Sequence, residues 1–161
     1  MLFVVEVHSR VVHVLGVTAG PDGAWVTRVA RNFVADLEDQ GRNFRFLVRD
    51  RDTKFTSRFS DVMASAGIGS VLTPLRAPRA NAFAERWVST VRQECPDNVL
   101  VFSRRHLEAV LRECVRHYND ARPHRGLGLP QPVPRPAPRA TGEVVRHDVL
   151  GGVIHEYDRA A

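Results

Sequence analysis

Lysine is almost absent from this chain of 161 residues. Lys54 is the only lysine among 23 basic residues, so the rest are arginines. The net charge is +5 and the sequence pI is about 10.2. Because arginine stays charged and its planar guanidinium matches phosphate, this balance favours a polyanionic partner such as nucleic acid. Genomic base composition explains an arginine excess equally well, so both explanations stay open.

Cysteine and long apolar runs are also scarce. The two cysteines, Cys95 and Cys114, have no metal-ligand spacing, and the pattern indicates neither a zinc site nor a secreted scaffold. No apolar run approaches the ~20 residues that cross a bilayer. Residues 1–5 are apolar but have no basic leader, so we interpret them as a strand and not as a signal peptide. We therefore expect a cytoplasmic protein without a membrane partner.

The hydrophobic pattern predicts an α/β fold. Two β-branched runs, residues 1–7 and 11–17, are close enough to form an antiparallel hairpin. Apolar residues three and four apart predict helices that follow. The predicted helices lie after Pro21-Asp22-Gly23, over 59–66 with Gly67 as the cap, from Asn81, and from Ser103 to Tyr118, with strands at 44–48 and 69–72.

Every second residue from Pro130 to Pro138 is proline, which predicts an extended spacer. Beyond it, Gly151-Gly152 lies between two strand-like runs and predicts a two-residue hairpin turn. We therefore divide the chain into a core (1–129), a proline-rich linker (130–140) and a C-terminal β-hairpin extension (141–161). The hairpin either contacts DNA or another subunit, or packs on the surface of the core.

Two carboxylates, Asp50 and Glu85, lie at positions where they could take part in catalysis. Asp50 follows a predicted parallel strand, at the edge where open α/β sheets bind ligands. Glu85 lies beside the apolar face of the helix that opens at Asn81. Two-metal phosphoryl chemistry needs carboxylates from separate elements. Taken alone, such a pair is more commonly two solvated surface acids.

Three segments of the chain have distinctive sequences: residues 46–55 (FLVRDRDTKF), 74–86 (PLRAPRANAFAER) and 117–127 (HYNDARPHRGL). In this order they resemble segments of insertion-sequence transposases, and the last matches the signature H-Y-N-x-x-R-P-H-x-x-L of that family. The 34 residues between Asp50 and Glu85 are close to the spacing usual in that family. The similarity extends from about Phe3 to the terminal hairpin. It implies a ribonuclease-H-like core shared with retroviral integrases, with a mixed sheet flanked by helices.

The resemblance implies roles for both carboxylates. Asp50 would be the second and Glu85 the third metal-binding catalytic residue, holding Mg²⁺ or Mn²⁺, with two ions in the intact site. Asp52 is an alternative to Asp50, although the alignment of Phe55 with an aromatic residue of the family favours Asp50. Glu6 is a candidate substitute for a missing carboxylate, but we interpret it as an ordinary residue at a strand end.

The resemblance also implies DNA-binding arginines. Arg92 lies seven residues after Glu85, on the same helical face, where it would hold a DNA phosphate. Arg86 would do the same, although a solvated charge fits that position equally well. Arg76 and Arg79, in the basic loop before the helix, complete the predicted DNA-binding set.

Four polar residues of the last segment could be mistaken for a nucleophile–base cluster. They are His117, Tyr118, Asn119 and His124. Tyr118 belongs to an apolar stripe, and the family motif mainly shapes the end of this helix. We therefore expect structural roles for all four.

Members of this family carry their first catalytic aspartate on a strand that precedes residues 2–10. We therefore expect no first catalytic aspartate in this chain, an N-terminally truncated core, and no catalysis by the chain alone.

The predicted function is that of a transposase or integrase core. Such a core, a polynucleotidyl transferase, cleaves DNA and transfers strands between transposon ends and a target, as a homo-oligomer by family expectation. The alternatives are a non-catalytic DNA-binding remnant, an inhibitor of an intact transposase, and a plain nuclease of the same fold.

Overall fold

A computed structural model describes residues 1–74, 81–94, 99–134 and 141–160. Its contacts divide the chain into two compact units: a first unit of Met1–Leu2 with Leu15–Ala82, and a second unit of Phe3–Val14 with Phe83–Ala161. In the described part, no helix has the length and apolar character needed to cross a membrane. The elements are β1 (Leu2–Val5), β2 (Val12–Gly16), α1 (Gly23–Asp39), β3 (Phe46–Arg49), α2 (Ser57–Ser65), β4 (Gly69–Leu72), α3 (Ala82–Glu94), α4 (Arg104–Asp120), β5 (Val144–Val149) and β6 (Ile154–Arg159), with 3₁₀ turns at Arg125–Leu127 and Leu150–Gly152.

In the first unit, α1 packs against α2. Helix α1 begins after Asp22, whose side chain accepts a hydrogen bond of 2.7 Å from the backbone N–H of Trp25. Such a cap satisfies one of the free N–H groups of the first turn. The predicted apolar stripe is the buried face of α1, made by Val26, Val29, Ala30, Phe33 and Leu37. In α2, Phe59 and Met63 are buried.

The strands β3 and β4 of this unit are parallel, as the sequence predicts. Their register pairs Phe46 with Gly69 and Arg49 with Leu72. Gly67 follows α2 with a φ of 73°, a left-handed conformation that glycine adopts without strain. This turn leads the chain from α2 into β4, and the carboxyl end of β3 leads directly into Asp50.

The strands β1 and β2 form a two-stranded sheet, which confirms the predicted pairing. The N–H of Glu6 donates to the carbonyl of Val11, and Arg10 completes the turn with a φ of 67°. The Glu6 carboxylate accepts a hydrogen bond of 2.6 Å from Ser9 Oγ and lies 2.6 Å from His13 Nε2. Glu6 is thus held within this hairpin.

Trp87 of α3 is the centre of the second unit and is 1% exposed. Its ring meets that of Phe3 at a centroid distance of 6.4 Å and that of Tyr118 at 4.7 Å, both edge to face. This geometry is favourable for aromatic pairs. Helix α4 joins this core through Val110, Leu111, Cys114 and Tyr118. Its cap is Ser103, the residue at which the helix was predicted to begin.

The side chain of Asn119 links α4 to β2. Its Oδ1 atom accepts a hydrogen bond of 2.9 Å from the N–H of Val12, and its Nδ2 atom donates one of 2.9 Å to the carbonyl of Val12. Both residues are buried. The amide therefore bonds to a strand in the way that a neighbouring strand would, and it satisfies groups that are costly to bury unpaired.

The residues after α4 satisfy its last carbonyl groups. His124 Nε2 donates to the carbonyl of Tyr118 over 3.2 Å, and the N–H of Val133 donates to that of Asn119 over 2.9 Å. The beginning of the proline-rich stretch is thus bonded to the second unit. Residues 135–140, the rest of the predicted spacer, lie outside the described residues.

The C-terminal hairpin is present, with β5 and β6 antiparallel from Val144–Arg159 to Val149–Ile154. Its loop has four residues, 150–153, so the predicted two-residue turn is wrong. Leu150, Gly151 and Gly152 all have positive φ, at 53°, 67° and 90°. The two glycines make this run of left-handed residues possible.

Glu156 of β6 attaches the hairpin to α4. Arg116 Nη1 and Nη2 each donate to its carboxylate over 3.1 Å, and His117 Nδ1 lies 2.9 Å from it. Burial raises the pKa of Glu156, but the hydrogen bonds from Arg116 and His117 outweigh burial and leave that pKa below its ordinary value. The same bonds raise the pKa of Arg116. The hairpin therefore packs on α4 of its own unit.

Removing the Asn119 amide should destabilise the second unit. Asn119→Ala leaves the buried N–H and carbonyl of Val12 unpaired, and we expect a loss of about 2–4 kcal/mol in the free energy of unfolding. Urea denaturation measures this loss. The matched control is Asn32→Ala, at an exposed position of α1. Equal losses for the two variants would contradict a role for the Asn119–Val12 pair.

Glu156 should make hairpin attachment sensitive to acid. Its folded pKa lies below the ordinary value of 4.5, so its contribution is complete above that value and is lost as the pH falls through the lowered pKa. We expect Glu156→Gln to lose on the order of 1–2 kcal/mol at pH 7 and to flatten this acid dependence. Unfolding followed from pH 7 to pH 3 measures both effects. Glu143→Gln, at an exposed position before β5, is the control and should retain the dependence.

Candidate functional site

Asp50 lies at the carboxyl end of β3 in the first unit, and it is exposed. Its Oδ1 atom accepts a hydrogen bond of 3.1 Å from the N–H of Asp52, which closes a short turn. Among the described residues, the Oδ2 atom has no hydrogen-bond donor. One carboxylate oxygen therefore orients the side chain while the other remains open to a ligand.

Asp52 is engaged differently, because Lys54 occupies both of its oxygens. The N–H of Lys54 donates to Oδ1 over 2.9 Å, and Lys54 Nζ lies 2.8 Å from Oδ2. These hydrogen bonds, the side-chain one foremost, lower the pKa of Asp52. Asp52 already has a cationic partner, whereas Asp50 has none among the described residues.

The two arginines beside Asp50, Arg49 and Arg51, bond to other residues of the first unit. Arg49 donates to Ser70 Oγ over 3.0 Å and lies over the ring of Phe55. Arg51 donates to the carbonyl of Thr73 over 3.3 Å. Arg49 Nη1 also donates to the backbone carbonyl of Asp50 over 3.2 Å. Among the described residues, neither guanidinium group bonds to the Asp50 carboxylate.

Glu85, Arg86 and Arg92 lie on α3 in the second unit, and all three are exposed. Arg92 is seven positions after Glu85, which is about two helical turns, so both side chains leave the same helical face. Arg86 points about 100° away around the helix axis. The predicted Arg76 and Arg79 lie outside the described residues.

Arg86 lines a cavity of about 340 Å³ in the second unit, which we call the arginine pocket. Three further arginines, two aromatic residues and a histidine share its wall. The lining residues are Val5, Arg10, Phe83, Arg86, Thr90, Tyr118, Arg122, Pro123, His124, Arg125 and Gly126. None of these described residues is acidic.

The positive charge of the arginine pocket affects its neighbours. Burial raises the pKa of Tyr118, while Arg122, Arg10 and Arg86 act in the opposite direction. Burial also lowers the pKa of His124, and Arg122 and Arg10 lower it further. Three guanidinium groups therefore act on one buried hydroxyl.

Sequence reasoning missed three of the four pocket arginines. Arg122 and Arg125 belong to the sequence R-P-H-R at residues 122–125, within the H-Y-N segment 117–127. This short run of basic residues could have predicted a positive cluster at the end of α4. Arg10 lies more than 100 residues earlier, in the turn of the first hairpin, and no local pattern connects it with them.

Each unit carries one carboxylate of the predicted pair, Asp50 in the first and Glu85 in the second. Asp50 and Glu85 are exposed oxygen donors of the kind that Mg²⁺ prefers. Within the ranges that the structure describes, no three His, Cys, Asp or Glu side chains are grouped to hold a metal ion.

Three comparisons with known proteins agree. Residues 66–132 match the family of the integrase core domain. An uncharacterized 39.2 kDa protein of insertion element IS476 from Xanthomonas euvesicatoria is 33% identical over 132 residues, which cover 79% of this chain and 36% of that protein. The chain thus spans about a third of that relative's length. A chain from the simian T-cell lymphotropic virus intasome, solved in complex with the PP2A regulatory subunit B56 gamma, aligns with 97% of this chain and 59% of its own length, at a TM-score of 0.55 and 13% identity.

These findings define the class of the protein. The chain has the mixed α/β, ribonuclease-H-like fold that the resemblance implies. Within that class, the match of residues 66–132 to the integrase core domain and the likeness to the insertion-element protein support a core of the transposase and integrase type.

Proposed function

We propose that this chain is the catalytic-core region of a transposase that cuts DNA and transfers strands. The observation that carries the proposal is the open carboxylate of Asp50 at the end of a parallel strand, in a chain whose integrase-core match includes Glu85. Strands of this type present ligands at their carboxyl ends. Asp50 and Glu85 are the two metal-binding carboxylates that the chain contributes.

A divalent cation at these carboxylates would activate a nucleophile and stabilise the leaving oxygen of a phosphodiester. Asp50 would contribute the oxygen that has no donor among the described residues. Its other oxygen, held by the N–H of Asp52, would fix the orientation of the carboxylate. Glu85 would contribute from an exposed position in the first turn of α3.

Asp50 is a better ligand than Asp52. A cation that recruited Asp52 would first have to displace the Lys54 ammonium 2.8 Å away, and the backbone N–H of Lys54 already holds the other oxygen. Asp50 has no cation to displace among the described residues.

The DNA would be held by phosphate contacts from α3. Arg92 shares the face of Glu85, so a phosphate bound to Arg92 lies along the same side of the helix. Transposon ends and target DNA are the proposed partners, and assembly into a homo-oligomer would bring two ends together. Arg76 and Arg79 remain proposed DNA contacts.

Asp50 and Glu85 should each be indispensable in an active form of the transposase. We expect Asp50→Asn or Glu85→Gln to lower strand transfer by about a thousandfold or more, because each removes a ligand of the proposed site. DNA binding should remain. A strand-transfer assay with labelled DNA ends measures activity, and a mobility-shift assay measures binding. Asp61→Asn, at an exposed position of α2, is the control. Asp52→Asn should lower strand transfer far less than Asp50→Asn does. An active Asp50→Asn protein would remove Asp50 from the site.

A second function, DNA binding without catalysis, is favoured for the isolated chain by one observation. The described residues contain no group of three metal-binding side chains. Asp50 and Glu85 alone would be an incomplete set for the proposed two-ion chemistry, and a chain limited to these two ligands would bind DNA without turning it over.

The isolated chain should bind duplex DNA and leave it intact. We expect its affinity to fall steeply with salt, since each phosphate contact adds about −0.9 to the slope of log K against log salt. No nick should form with Mg²⁺ or Mn²⁺. A metal-dependent nick that Asp50→Asn abolishes would contradict the binding-only function, and affinity that does not depend on salt would contradict both functions.

A further inference from the structure

The arginine pocket gathers positive charge that its described neighbours only partly neutralise. Glu94 accepts hydrogen bonds from Arg122 Nη2 over 2.8 Å and from Nε over 3.1 Å, so Arg122 has a counter-ion. Arg86 and Arg125 form no ion pair with the described residues, and Arg10 donates to the backbone carbonyl of Val7. Three guanidinium groups thus face one cavity without a carboxylate partner among the described residues.

The orientation of Arg10 is fixed before any ligand arrives. Its backbone is in the left-handed region, with a φ of 67°. Its guanidinium lies 3.7 Å from the centroid of the Phe83 ring, and the carbonyl of Val7 accepts from its Nη1 atom. A cation over an aromatic face is stabilised there, and little side-chain freedom remains to be lost on binding. Arg10 therefore behaves as a pre-oriented donor.

The size and lining of the cavity select its ligand. Pockets for small ligands start at about 300 Å³, and this cavity has about 340 Å³. Several guanidinium donors on the wall of one cavity match the oxygens of a phosphate group. The apolar sides of Val5 and Phe83 suit the sugar attached to it. A phosphate with its adjoining sugar, which is the repeating unit of a nucleic-acid strand, fits both the charge and the volume.

We propose that the arginine pocket seats one backbone phosphodiester of the DNA, an inference that rests on the proposed function. Arg86 follows Glu85 directly in α3, so a phosphate at Arg86 lies within one helical turn of that carboxylate. The pocket thereby positions a strand beside Glu85. Arg10 and Arg125 are positioning residues, and they act on DNA binding independently of any metal.

The test compares two double variants that remove the same charge. Arg10→Gln with Arg125→Gln removes two pocket arginines. Arg105→Gln with Arg112→Gln removes two exposed arginines of α4 in the same unit. Duplex DNA binding is measured by fluorescence anisotropy from low to high salt without divalent metal. Thermal melting checks folding, and Arg125→Gln alone, in the exposed 3₁₀ turn, serves if the first double variant melts early.

The pocket variant should bind DNA at least roughly tenfold more weakly than the control variant, as expected when charged hydrogen bonds are removed. Its slope of log K against log salt should be less steep by about one unit for each phosphate that the pocket no longer neutralises. Affinity and slope equal to those of the control variant would overturn the inference while leaving the proposed function intact. A wild-type chain without salt-dependent DNA binding would overturn both.

Inorganic phosphate identifies the source of the anion. If the pocket takes free phosphate instead of DNA, added phosphate raises the melting temperature of the wild-type chain but not of the pocket variant, and DNA affinity is the same in both. That result would overturn the assignment to DNA. Weaker DNA binding by the pocket variant, together with a flatter salt slope, supports it.

Discussion

The hydrogen bonds between the Asn119 amide and the backbone of Val12 determine how the second unit is built. They join residues 107 positions apart and satisfy two buried backbone groups with one side chain. Successive residues of a helix point about 100° apart, so once Asn119 faces β2, its two predecessors must face elsewhere. Tyr118 turns to Trp87 in the core, and His117 turns to Glu156 of the hairpin. Three consecutive side chains thereby attach the end of α4 to a strand, a helix and a hairpin.

The need to bond buried backbone groups also explains the other residues of the H-Y-N segment, residues 117–127. A helix leaves its last carbonyl groups unsatisfied, and those of Tyr118 and Asn119 are buried with the core. His124 returns to bond the first of them and stacks edge-on against the Tyr118 ring at 4.5 Å, while Val133 bonds the second. The chain on either side of His124 lines the arginine pocket, with Arg122 before it and Arg125 after it. The H-Y-N segment therefore both bonds the end of α4 and places two arginines on the wall of the cavity.

Local patterns in the sequence were enough to predict most elements. The apolar stripes of α1 and α4, the start of α4 at Ser103, and the parallel strand before Asp50 all depend on neighbours within a few residues. Contacts between distant residues were not predictable, because nothing in the sequence near Val12 or Glu156 indicates its partner. The hairpin loop was wrong for a related reason: Leu150 takes a positive φ that its residue type does not signal. For the site, spacing and resemblance selected Asp50 and Glu85, whereas the contrast between Asp50 and Asp52 depends on where Lys54 points.

The arginine-rich composition can be interpreted only when the arginines are classified by the groups to which they bond. Arg49 and Arg51 hold the turn around Asp50, and Arg116 holds the hairpin, so their charge serves the fold. A base-composition bias would scatter further arginines over the surface without regard to carboxylates. Arg10, Arg86 and Arg125 instead come from three distant parts of the sequence and meet at one cavity whose described lining has no acid. Folding brings like charges together there against their mutual repulsion, a cost that a bound phosphate would remove. The net charge of +5 is therefore a poor guide to DNA contacts. A phosphate is the natural partner of those arginines that have no carboxylate partner among the described residues.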